Sequence, residues 1–148
     1  MQGLPQSGIY LLVVRVRSAI NVTAGALGSL EFERGYYAYV GRARRGLQAR
    51  LARHASADGK RLHWHIDYLL EQASLEEIWV FPLREGECEL ARRLEAGGAS
   101  REGLRGFGSS DCSCPGHLLY VGKRRPLSPL QKLGVGALWG FTFWDLTP

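Results

Sequence analysis

Between Gly35 and His54 the chain reads GYYAYVGRARRGLQARLARH, a tyrosine-rich run, a glycine, and then arginines at helical spacing. Tyr37 and Tyr39 fall on one face of a strand, with Tyr36, Ala38 and Val40 on the other. Gly41 is expected to end that strand and to leave room for a backbone or a phosphate. Leu47, Leu51 and Ala55 recur at i, i+4 and i+8, the apolar face of a helix. Arg50 and His54 lie one turn apart on it, and Arg53 is three residues from Arg50, so the three are expected to share a neighbouring face. Tyrosines and a cationic helix face that meet at one glycine turn suit phosphate chemistry. A carboxylate comes later. Glu87 is in phase with Leu90, Ala91 and Leu94, so it continues an apolar stripe and faces the body of the protein. Such a group needs cations or a metal as its partner. The plainer account, an acid that complements the helix dipole, is one it shares with Glu85 and Glu89.

The elements that must hold these groups follow from pattern. A chain of 148 residues, 45% hydrophobic and 22% charged, has the size and composition of one globular domain with its own core. Gly8 to Val16 (GIYLLVVRV) reads as a strand, with Ile9, Leu11 and Val13 on one face and Tyr10, Leu12 and Val14 on the other. Both faces are apolar, so it belongs in the middle of a sheet. AINVTAGALGSLEFERG reads as two shorter strands around a turn near residues 25–28. Asp58, Gly59 and Lys60 break the arginine helix. A helix in HWHIDYLLEQA follows, with Ile66, Leu69, Leu70 and Ala73 in phase. Then come a strand over residues 77–83 and a helix in GECELARRLEAGG, stopped by Gly97 and Gly98. GLRGFGSSDCSCPG is a loop, and His117 to Gly122 is a last strand. The fold class expected is α+β, a small mixed or antiparallel sheet flanked by helices. One domain covers 1–148, with its core at about 8–122 and a basic, then apolar tail at 123–148. The tail's LGVGALWGFTFW is too short to span a bilayer and is read as docking on the domain or on a second chain. Three cysteines cannot all pair, and the N-terminus has no secretory pattern, so a reducing, cytoplasmic location is expected.

Gly8-Ile9-Tyr10 and Tyr39-Val40-Gly41 resemble the two halves of the GIY-YIG nuclease motif. Arg50, Arg53 and His54, in RLARH, resemble that superfamily's helix arginine and the basic residues after it. Glu87, ahead of Leu90-Ala91, resembles its metal-binding glutamate. Each tripeptide alone is a short match, but four elements in this order make a specific one, over Gly8 to about Gly97. More narrowly, GYYAYVG, HWHIDYLL, ECELA and FGSSDCSCPGHLLY resemble an uncharacterised prokaryotic family of GIY-YIG-like domains. Ordinary members join the tripeptides by a short hairpin, whereas here residues 11–38 intervene. The extra strand pair between Ala19 and Glu33 is expected to extend the sheet or fold over its edge.

The resemblance implies hydrolysis of phosphodiester bonds in DNA with one divalent cation, Mg²⁺ first and Mn²⁺ as the alternative. It makes Tyr10 the base, Tyr39 its partner, Arg50 the phosphate clamp and Glu87 the metal ligand. A tyrosine of ordinary pKa, about 10, needs nearby cations to act as a base, and Arg50 and Arg53 are the ones at hand. His54, with an ordinary pKa of about 6.5, is the alternative base. The charge points the same way. The net charge is 19 − 14 = +5, and between Arg42 and Arg61 stand seven Lys or Arg and one acid, Asp58. Such a cluster suits a polyanion, nucleic acid first, with Arg42, Arg44, Arg45, Arg53, Lys60, Arg61, His63 and His65 as contacts. From charge alone, a solvated basic face is the plainer alternative.

His63, His65 and Asp67 invite a metal reading, but the favoured one is a helix N-terminus whose histidines hydrogen-bond beside the basic site. Substrate contact is its functional rival. Cys112, Cys114 and His117, with Cys88 elsewhere, do not have a usual zinc spacing. Reduced cysteines in a structural loop are favoured over a zinc site. Two function classes stand, a metal-dependent nuclease and a non-catalytic nucleic-acid-binding module on the same fold, with a partner-binding domain third. A binding module needs the cations but not the inward carboxylate.

Overall fold

The computed structural model describes residues 4–56, 62, 64–81, 86–108, 115–124 and 139–142. The apolar run Gly8–Val16 forms strand β1, in which every residue except Arg15 is buried. Burial on both faces requires neighbours on both edges. β1 pairs antiparallel with β4 (Gly35–Ala43) on one side and with β5 (Ser74–Phe81) on the other. β6 (Leu118–Gly122) joins β4, and β7 (Trp139–Thr142) joins β5. The resulting five-stranded sheet has the order β6-β4-β1-β5-β7. β7 brings part of the apolar tail into the domain's own sheet, by backbone pairing at its edge.

The intervening segment forms β2 (Ile20–Thr23) and β3 (Ser29–Phe32), joined through a 3₁₀ turn at Gly25–Leu27. They pair with each other as a separate two-stranded sheet. The pair does not extend the main sheet. Val22 and Phe32 pack with Tyr10, Tyr37 and Tyr39, so it folds over a face rather than an edge.

Side-chain alternation sorts the core into two layers. Ile9, Leu11, Val13, Ala38 and Val40 face helix α3 (Glu87–Ala96), which contributes Leu90, Ala91 and Leu94. Tyr10, Leu12, Val14, Tyr37 and Tyr39 face the other way. There they meet α1 (Leu47–Ala55), through Leu47 and Leu51, and α2 (His65–Leu70), through Ile66 and Leu69. The turn into α1 is made at Gly46, whose φ of 64° lies in the left-handed region that glycine tolerates. α2 ends before Ala73, and β5 begins three residues ahead of Glu77, because Ser74 and Leu75 pair with Arg15 and Val14 after a register shift. No helix among the described residues is long and apolar enough to cross a membrane.

Gly41 does not end its strand. β4 runs on to Ala43, and Gly41 pairs with Tyr10. The glycine is there because the Tyr10 ring covers it: a Cβ would fall inside 3.0 Å of ring atoms. Gly41→Ala therefore pushes Tyr10 out of place and costs about 1–3 kcal/mol, the range for overpacking. Denaturant unfolding measures this, and a variant as stable as the parent would show that the ring has room to yield.

Candidate functional site

A cleft of about 390 Å³ opens at the end of the sheet where β1 begins and β4 ends. Tyr10, Tyr39, Arg50 and Glu87, from four different elements, all line it. β1 and β4 hold the two tyrosines side by side, since Tyr10 pairs with Gly41, two residues beyond Tyr39. α1 brings Arg50 in from one side, and the first turn of α3 brings Glu87.

Tyr10 is 3% exposed, and its hydroxyl lies 3.0 Å from His54 Nε2. It donates to that nitrogen when the histidine proton is on Nδ1. His54 is itself 2% exposed and is not part of the cleft wall, so Tyr10 stands between it and the cleft. Burial pushes the Tyr10 pKa up to about 12, with Arg50 pulling in the opposite direction. Burial also raises the pKa of Tyr39 well above its ordinary value, helped by the nearby Tyr10. Both phenols are protonated at neutral pH.

Arg50 is held from two sides. Its Nη1 donates to the Arg42 carbonyl, and its Cζ stands 4.9 Å from the centroid of the Trp64 ring. Arg53 has another task. It makes a bidentate pair with Asp67, at 2.8 and 2.9 Å, and the Asp67 side chain is fully buried. The Arg53 guanidinium also lies 4.5 Å from the Trp64 centroid. So Arg53, expected as a nucleic-acid contact and as a cation for Tyr10, is not on the cleft wall. At about 100° per residue, positions i+3 and i+4 point to opposite sides of position i, which separates Arg53 from His54. Arg42, Arg44, Arg45 and His65 do line the cleft, and Arg44 and Arg45 are exposed. Lys60, Arg61 and His63 lie outside the described residues, as do Cys112 and Cys114.

His65 opens α2, and its Nδ1 accepts the Gly108 N–H at 2.8 Å. This is the hydrogen-bonding role at a helix start expected of that segment. Trp64 was not singled out in the sequence, yet it underlies both arginines. Asp67, three residues on, accepts the Trp64 N–H at 2.9 Å. An acid three residues after a helix cap was the available signal. His117 also lines the cleft. Two backbone bonds place it there, Val40 N–H to its carbonyl at 2.9 Å and its own N–H to the Phe107 carbonyl at 2.8 Å.

Glu87 is 22% exposed, and its Oε2 lies 3.9 Å from His117 Nδ1. Glu89 turns outward to Arg92 and Arg93, and the Arg92 hydrogen bond above all lowers its pKa. The two glutamates thus occupy different faces of α3. Among the described residues no group of three or more His, Cys, Asp or Glu side chains is arranged to hold a metal.

Burial lowers the pKa of His65, and likewise that of His117, against an opposing pull from Glu87. The unfolded chain therefore takes up these protons first as pH falls. Stability from keeping both rings neutral is present above about pH 6.5 and declines below it. A denaturation midpoint unchanged between pH 7.5 and 5.5 would contradict this.

The matching family model is that of a domain of unknown function, DUF123, over residues 9–136. No curated protein and no solved structure matches the chain.

Proposed function

Since the chain belongs to the DUF123 family, a domain of unknown function, we propose its activity from the cleft: it binds the phosphodiester backbone of DNA and hydrolyses it. The observation that supports this most is the convergence of Tyr10, Tyr39, Arg50 and Glu87 on one cleft wall. Their order along the chain is that of the GIY-YIG nuclease motif, and kinship with that superfamily is part of the proposal. Glu87 suits a hard cation that takes one carboxylate from the protein and the rest of its shell from water and phosphate, as Mg²⁺ or Mn²⁺ does. When bound, the cation neutralises charge on the phosphoryl and leaving-group oxygens.

The protein's own groups do the rest. Arg50, fixed by the Arg42 carbonyl and Trp64, grips a phosphoryl oxygen as a preorganised donor. Tyr10 orients the attacking water. A phenol with a pKa of about 12 is a poor free base, but its contact with His54 Nε2 makes it a relay. The water's proton goes to the Tyr10 oxygen as the Tyr10 proton passes to His54. The hydroxide forms the new P–O bond, and the leaving oxygen takes a proton from solvent. Tyr39, protonated, donates into the same site.

Arg44 and Arg45, exposed at the rim, track the backbone by charge. Replacing both with Ala weakens DNA binding and flattens its log–log salt dependence by about one to two units, as fewer counterions are released. An unchanged slope places the binding surface elsewhere. The activity itself is read as cleavage of plasmid and single-stranded DNA with Mg²⁺ or Mn²⁺, lost on chelation. DNA that is bound yet never cut with either metal would make the domain a non-catalytic binding module.

A further inference from the structure

One donor on the cleft wall has no part in the phosphodiester chemistry proposed above. His65 lines the cleft, and its Nδ1 accepts the Gly108 N–H at 2.8 Å. A backbone N–H can only donate, so this contact settles the tautomer. Nδ1 is bare, and the proton of the neutral ring sits on Nε2. Burial lowers the pKa of the ring, which keeps it neutral at pH 7. Nε2 has no hydrogen-bond partner among the described residues and is not sealed from solvent. Gly108 itself sits against Tyr39, for a Cβ there would fall 2.8 Å from the Tyr39 ring and 3.3 Å from its hydroxyl. The bond to Gly108 therefore holds His65 on the Tyr39 side of the cleft. The backbone of α2 is fixed as well, by Ile66 and Leu69 in the core and by the Asp67–Arg53 pair.

We infer that His65 is a neutral hydrogen-bond donor to the substrate, its Nε2–H reaching a phosphate oxygen of the bound DNA backbone beside Tyr39. The inference rests on the proposed nuclease reading and deepens it, by giving the site a donor that carries no charge. A structural tie to Gly108 needs Nδ1 alone. It leaves the Nε2–H unpaired in a cleft walled by Arg42, Arg44, Arg45 and Arg50. An anion is the acceptor that such a cleft draws in, and a donor already fixed toward it needs no reorganisation. A protonated ring could not serve, because a second N–H would face the Gly108 N–H and break the tie. His65 therefore works neutral. It adds to the rate without releasing a counterion, so its removal leaves the salt dependence alone, unlike the removal of Arg44 and Arg45.

The test uses the full chain and two isosteric variants. Asn puts an amide oxygen where Nδ1 stands and keeps the tie to Gly108. Gln puts an amide N–H near Nε2 and loses that tie. His65→Asn should keep the parent's thermal midpoint but cut DNA about 10²-fold more slowly, in kcat rather than KM, with the salt slope of binding unchanged. His65→Gln should melt earlier yet cut faster than His65→Asn. A ring that only ties the loop gives the reverse order, and that result overturns the inference. On the wild type, spectra of ¹⁵N-labelled histidines at about pH 7.5 should show His65 protonated at Nε2 alone. Adding a short DNA duplex without divalent cation should shift that nitrogen. A proton on Nδ1, or a His65 signal that ignores DNA, overturns the inference even if neither variant folds. A wild type that cuts no DNA while its His65 signal still moves sinks the nuclease reading and supports the phosphate donor.

Discussion

Glu87→Gln is expected to cut metal-dependent cleavage by about 10²–10³-fold or more, the scale on which removing one electrostatic contact to the transition state acts. Glutamine keeps the shape, and Glu87 is not a core group at 22% exposure, so the fold should survive. DNA affinity should hold or rise slightly, because a negative charge facing the phosphates has gone. Glu89→Gln is the control. It loses only the outward pairs with Arg92 and Arg93, and the cleavage rate should be unchanged. Cleavage that ignores both chelators and Glu87→Gln would remove the divalent cation from the mechanism.

The second large effect concerns stability, and it is asymmetric. Arg53→Ala strips the cation from the fully buried Asp67 and should cost about 3–5 kcal/mol, the range for removing one partner of a buried pair. Asp67→Ala should cost less. The Arg53 side chain is 26% exposed and can turn to water, and the Trp64 N–H loses its acceptor, about 1 kcal/mol for a helix cap. The double variant should be more stable than the sum of the two losses predicts, since no carboxylate is then left buried without its cation. Urea midpoints for the four proteins close the cycle. An Arg53→Ala protein as stable as the parent would mean that other groups carry the Asp67 charge. Loosening of Trp64 should also free Arg50, so weaker DNA binding in Arg53→Ala would report the same network.

Strand alternation and helical phase are local properties, and what depended on them was legible in the sequence. The doubly apolar run from Ile9 to Val14 placed β1 in the middle of the sheet and sorted its side chains to the correct faces. The phase of Glu87 with Leu90, Ala91 and Leu94 set it apart from Glu89. Gly97 and Gly98 marked the end of α3. What the chain could not reveal depends on which element faces which. Gly41 looked like a strand terminator because a glycine is equally at home at an end or beneath a ring. Only the pairing of β1 with β4 laid Tyr10 across it. Arg50 and Arg53 are the same residue type one turn apart, and their roles diverge because α2 offers Asp67 to Arg53 while Trp64 underlies both. His54 meets Tyr10 from 44 positions away, and Cys88 meets His117 across 29. Contacts of that range have no period to betray them. They exist because the packing of helices on the two faces of the sheet brings those side chains together.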